Sequence, residues 1–138
     1  MKSVRKMIEV QTRQQVEIVD ITRTVVDIVR SSGIRDGMAL VYPHHTSSAV
    51  YISDSDRALQ SDLEIVLAGL VPERDDYGHD RTDPKRNAAA HLKAILTGHH
   101  VVIPVTDGTL DLGTYHTIYY AEFDGQRAKE VVVKVIGE

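Results

Sequence analysis

The sequence predicts a single α+β domain, predominantly antiparallel sheet with three helices. Three observations point there. Residues 3–12 alternate apolar and polar residues with a period of two, and the chain after residue 100 reads as strands and turns. The interior carries three helical segments, each bounded by a capping residue or a glycine stop. The length of 138 residues supports one core but not two, so residues 1–138 read as one unit.

Residues 3–12 read as a strand, with Val4, Ile8 and Val10 on one parity and Glu9, Gln11 and Arg13 on the other. A second strand, 16–21, follows the polar Thr12-Arg13-Gln14. Asp20 or Thr22 can cap the next helix, whose Ile21, Val25, Ile28 and Val29 form one stripe before Gly33 stops it. Arg35-Asp36-Gly37 turns into a short apolar strand, 38–42, ended by Pro43. After the polar His44-His45-Thr46-Ser47-Ser48 comes strand 49–52. Asp54 or Ser55 is placed to cap a second helix with Leu59, Leu63, Val66, Leu67 and Leu70 as its buried stripe. Residues 71–86 form the longest irregular segment, rich in charge, and long ordered loops tend to be functional or disordered. Asn87 is a good cap for the third helix, 88–97, closed by Gly98. The rest is β: an apolar strand 101–105, then long strands 114–123 and 128–136 joined by the hairpin signal Asp124-Gly125.

Bulk properties exclude several classes. A formal net charge of −4 and the lack of a Lys/Arg run argue against nucleic acid as a partner. The apolar stretches, VVIPV among them, are far too short to span a membrane. The N-terminal MKSVRKMIEV has no apolar signal-peptide centre, so the cytoplasm is the expected location.

Seven histidines without a cysteine mean that any soft-metal site would use imidazoles and carboxylates. Asn87 and His91, four apart, share one helix face, next to three alanines that allow close approach. A helix N-terminus also attracts anions. Alternation along 114–123 puts Thr114, His116, Ile118, Tyr120 and Glu122 on one face and Tyr115, Thr117, Tyr119, Ala121 and Phe123 on the other. The second set reads as core. The first set ends in an acid that is costly to bury unpaired, or else lies on a solvated face with Glu122 paired to Arg127 or Lys129. His44 and His45 diverge, so at most one of them ligates a metal. Thr46, Ser47 and Ser48 suit phosphate or carboxylate oxygens, but no glycine elbow marks a serine nucleophile. His99 and His100 read as an exposed turn.

From about residue 5 to the C-terminus the chain resembles the YjbQ-like family. The carriers are His45-Thr46 with Ala49, Asp62-Leu63, Tyr77-Gly78-His79-Asp80, Asn87-Ala88-Ala89-Ala90-His91-Leu92, Gly108-Thr109-Leu110, Leu112-Gly113-Thr114, and Glu122-Phe123-Asp124-Gly125 with Arg127. The chain departs from the family pattern at Tyr115-His116 (usually Trp-Gln), at Asp54 (Glu) and at Ser47 (Thr).

The resemblance implies two packed, mainly antiparallel sheets, a homotrimer, and a polar pocket at or near the subunit interface for a metal ion or anion. It implies thiamine-phosphate synthase activity, described for some members, which joins an aminopyrimidine methyl diphosphate to a thiazole phosphate. Carried over residue by residue, His45, His79 and His91 would hold a divalent metal, zinc in a three-imidazole geometry, with magnesium the alternative for diphosphate chemistry. Asn87, Thr46, Ser47, Thr114 and Arg127 would hold the substrate's phosphate oxygens. Glu122 would act as general base or as a partner orienting the ligating groups, and His116 would add an imidazole or replace an amide contact. Two other functions fit the same pocket: a metal-dependent hydrolase of small phosphorylated or ester substrates, and a non-catalytic ligand-binding trimer.

Overall fold

Strand pairing divides the protein into two antiparallel sheets, seen in a computed structural model that describes residues 1–138. The elements are β1 (Lys2–Gln11), β2 (Glu17–Asp20), α1 (Thr22–Ser32), β3 (Gly37–Pro43), β4 (Ser48–Ser53), α2 (Arg57–Leu70), α3 (Gly78–Thr82), α4 (Ala88–Thr97), β5 (Val101–Thr106), β6 (Thr109–Leu110), β7 (Thr117–Glu122) and β8 (Ala128–Gly137). The five-stranded sheet runs β1-β8-β3-β5-β6 and the three-stranded sheet β2-β7-β4. No helix is long and apolar enough to cross a membrane.

The main core lies between the sheets. Val131, Val133 and Val135 of β8 meet Ile118 and Tyr120 of β7, with Val25 and Val29 of α1 closing one side. On the far side of the small sheet, Ala49, Ala121 and Phe123 pack against Leu67 of α2 and Ala90 and Ala94 of α4. The alanines on both surfaces let α4 sit close to the sheet, which brings its first turn beside the β3–β4 connection. Both faces of β7 are therefore buried. The expectation of a single core face on 114–123 is corrected: the face bearing Ile118 and Tyr120 is the inter-sheet core.

Five other expectations change. The strand expected from residue 114 begins at Thr117, because the His116 N–H bonds the Gly113 carbonyl (3.0 Å) and its Nδ1 accepts from the Gly113 N–H (3.0 Å), closing a turn. Asp124-Gly125 makes no hairpin, since β7 pairs only with β2 and β4, and β8 with β1 and β3. The turn instead carries the chain from one sheet to the other. Gly125 is needed there for space: a Cβ would collide with the Thr12 hydroxyl and the Gln14 carbonyl. The cap of α2 is Asp56, whose Oδ1 accepts from the Ala58 N–H at 2.9 Å, rather than Asp54 or Ser55. Of that helix's apolar stripe only Leu67 is buried, while Leu59, Val66 and Leu70 stay exposed. Finally, the irregular segment contains a fourth, short helix, α3.

Candidate functional site

One cavity of about 550 Å³ opens between the β3–β4 connection, the α3–α4 segment and the start of β8. His44, His45, Thr46 and Ser47 come from the first, His79, Asp83, Lys85, Asn87 and His91 from the second, and Asp124, Arg127, Ala128 and Lys129 from the third. Ala128 is the one apolar residue among these 13, so the cavity suits a polar or charged ligand. The imidazoles of His45, His79 and His91, far apart in the chain, do converge here.

Beneath the cavity lies a closed polar network. Glu122 has no exposed surface, and its carboxylate accepts from the Tyr120 hydroxyl (2.5 Å), the Ser47 hydroxyl (3.1 Å), the Asp124 N–H (3.0 Å) and the Lys129 ammonium (3.0 Å). Lys129 spends its other two donors on Ser47 Oγ (3.0 Å) and the Asp124 carbonyl (3.2 Å). Burial, then the bond to Glu122, pushes the Tyr120 phenol pKa upward, so it remains a neutral donor. This network grips the Asp124 backbone on both sides and so aims its carboxylate.

Asp124 in turn orients the cavity wall. Its carboxylate accepts from Gln15 (2.6 Å), Asn87 Nδ2 (3.0 Å) and Arg127 (2.6 Å). Although burial opposes it, the hydrogen bonds from Asn87 and Gln15 and the charges of Arg127 and Lys129 hold its pKa below the usual carboxylate value. With its amide nitrogen on Asp124, Asn87 presents Oδ1 to His79 Nε2 at 3.0 Å. Asn87 does not cap α4 with its side chain. Buried Asp80 takes that duty, its Oδ1 accepting from the Ala88 N–H at 3.0 Å, which frees Asn87 for the site and occupies a donor at the helix start.

These bonds assign the imidazole protons. His79 donates from Nε2 to Asn87, leaving the Nδ1 lone pair free. His91 donates from Nδ1 to the Thr46 carbonyl (3.0 Å), leaving Nε2 free. His45 is the reverse case: its Nε2 accepts from the Glu130 N–H at 3.0 Å. Burial, with Lys129 adding to it, lowers its pKa, so His45 is a neutral ring with its proton on Nδ1.

A zinc ion needs unprotonated nitrogens. His79 and His91 offer one lone pair each, but the only lone pair of His45 is committed to Glu130. No group of three His or acidic side chains has the arrangement to hold a metal ion. The three-imidazole centre expected from His45, His79 and His91 therefore does not fit this arrangement. The acidic loop does not replace it: Asp76 is bound by Arg74 at 2.6 Å, and Asp75 is fully exposed.

The remaining candidates divide. Thr46 and Arg127 line the cavity as expected. Ser47 lines it too, but its hydroxyl is consumed by Glu122 and Lys129 and cannot serve as a phosphate donor without breaking that network. Glu122 has no exposed surface from which to act as a base on a ligand and is a positioning residue. Thr114 and His116 are exposed, lie in the turn before β7 and do not line the cavity. Sequence reasoning missed Lys129 except as a surface partner of Glu122. The signal was its parity: it shares the inward side of β8 with Val131, Val133 and Val135. Asp124 was hidden by its reading as a turn residue, and Lys85 and Asp83 by the irregular segment around them.

Two antiparallel sheets with a histidine-lined polar cavity at the junction of β3–β4, α4 and β8 define the class of protein. Residues 6–138 match the family described as UPF0047 protein YjbQ-like, and the chain belongs to that family. A UPF0047 protein from Archaeoglobus fulgidus is 46% identical over 126 residues, covering 91% of this chain and 96% of its own length. One from Methanothermobacter thermautotrophicus is 41% identical, covering 93% and 88%. Among solved structures, a YbjQ-like protein of unknown function from Sulfolobus solfataricus superposes with a TM-score of 0.94 at 34% identity, covering 99% of both chains. A hypothetical protein from Aeropyrum pernix gives 0.91 at 30% identity over the full length of both.

Proposed function

We propose that the cavity binds the phosphate or diphosphate of a small phosphorylated molecule, and that the protein is a transferase of the thiamine-phosphate synthase type. The observation that carries this reading is the convergence of Arg127, from the start of β8, with Lys85, His79 and His91 of the α3–α4 segment on a cavity with one apolar lining residue. In the transfer, the bond from the aminopyrimidine methylene carbon to the diphosphate oxygen breaks, and diphosphate keeps the bonding pair. The thiazole nitrogen supplies the pair for the new C–N bond, and no proton need leave it. The demand on the protein is then charge stabilisation and positioning. Arg127 and Lys85 suit the departing anion, and the Nδ1–H of His45 is a further donor.

The test is incubation with both precursors, following coupled product and released diphosphate together. Coupling that falls at least about tenfold in Arg127→Ala supports the reading. Phosphate release from simple esters without coupling supports a hydrolase instead, and binding without turnover a ligand-binding protein.

The reading extends to self-assembly as a homotrimer. Ile65 (70% exposed), Leu70 (66%) and Ile95 (73%), with Val66 and Leu96, leave the outer side of α2 and α4 apolar and uncovered within one chain. Monomers rarely expose so much apolar surface in one region. Light scattering at micromolar concentration should return about three times the 15.4 kDa chain mass. A single-chain mass would refute the trimer.

A further inference from the structure

We infer that the site is bipartite: a second, more apolar pocket takes a ring of the same molecule whose phosphate occupies the polar cavity. The inference rests on the phosphate-binding reading of that cavity and adds where the ring of a ring-bearing phosphate ester would sit.

The second pocket, about 450 Å³, lies between α3 and α4 and is lined by Tyr77, Gly78, Ala88 and Leu92 together with His79 and His91. Those two imidazoles also line the polar cavity. Set edge to face with centroids 4.9 Å apart, they form the partition between the two spaces. A ligand spanning both would place its ring on one side of the imidazoles and its phosphate on the other. The scissile bond would then lie beside the free nitrogens of His79 and His91.

The walls of the second pocket are fixed. The Tyr77 hydroxyl donates to the Pro72 carbonyl at 2.7 Å, and the Arg74 guanidinium lies 5.5 Å from its ring centroid. Two small residues leave the space open, Ala88 and Gly78. A Cβ at Gly78 would meet nothing within 4 Å. Leu92, one helical turn beyond Ala88, supplies an apolar edge that is 38% exposed. Apolar walls with a few convergent polar groups are what a ring-bearing ligand requires. Its continuity with the polar cavity through shared residues is what commits the pocket to the same molecule.

Titration calorimetry with inorganic phosphate, methyl phosphate and phenyl phosphate tests this. Wild-type protein should bind phenyl phosphate at least about tenfold more tightly than methyl phosphate. Gly78→Val, which fills the pocket, and Leu92→Ser, which makes its edge polar, should each erase that preference while leaving methyl phosphate affinity unchanged. Thermal melts confirm that each variant is folded, and either one alone suffices for the comparison. Equal affinities of wild-type protein for the two esters, with phosphate still bound, would overturn the ring subsite alone. A preference that survives in a folded variant would do the same. Failure of wild-type protein to bind inorganic phosphate or either ester would overturn the polar-cavity reading and this inference with it.

Discussion

Lys129→Met is expected to cost about 3–5 kcal/mol of folding stability, the range for stripping a buried charge of its partner. Glu122 has no exposed surface, and Lys129 is the one cation hydrogen-bonded to it. The Tyr120 and Ser47 hydroxyls and the Asp124 N–H would remain as neutral donors. They soften the loss without cancelling the charge. In a domain of this size the change should lower the melting temperature by roughly 10 °C or more. Urea or thermal unfolding of the variant measures it directly. The double variant Glu122→Gln/Lys129→Met removes both charges and should recover at least about 1 kcal/mol relative to Lys129→Met alone. A cost below about 1 kcal/mol for the single variant would show that the pair does not hold the site together.

Arg127→Ala is expected to weaken diphosphate binding about 10- to 100-fold, the worth of one or two charge-assisted hydrogen bonds. Its guanidinium is already oriented at the cavity rim by the 2.6 Å bond to Asp124, so little entropy is lost when a ligand arrives. Lys85 has no side-chain partner to fix it, and its removal should cost less. Because the Arg127–Asp124 pair lies near solvent, with Arg127 48% exposed, stability should change by less than about 1 kcal/mol. The signature is thus a binding defect in a protein of nearly normal stability, the opposite of Lys129→Met. Affinity within twofold of wild type would remove Arg127 from the site.

Much of the fold was legible because local patterns agreed with the final packing. Helix α4 and its Gly98 stop, and helix α1 with Gly33, followed from periodicity and capping, and 128–136 followed as a long strand. What failed depended on contacts distant in sequence. Asp124-Gly125 has the composition of a hairpin, yet its surroundings are the Thr12–Gln15 segment, more than a hundred residues away. No local signal distinguishes a turn within a sheet from a turn between sheets. The α2 stripe failed for a related reason: its pattern declares an apolar face but not what covers it.

The convergence of His45, His79 and His91 was anticipated by resemblance, yet their chemistry was not. Which ring nitrogen is free depends on backbone partners, the Glu130 N–H for His45 and the Thr46 carbonyl for His91, that no spacing rule reveals. Asn87 misled in the same way. Its position before an alanine run is that of a cap, but Asp80 arrives from α3 to do the capping. The assignment of Glu122 as a base came with the resemblance, and burial on both faces of β7 removes it from solvent.

As proposed above, these residues would form an anion site that does not need a three-imidazole metal. Calorimetric titration of exhaustively chelated wild-type protein with inorganic diphosphate tests it most directly. Saturable binding of one diphosphate per chain in the continued presence of chelator is the predicted result. Binding that appears only after zinc is restored, or no binding under either condition, would contradict it.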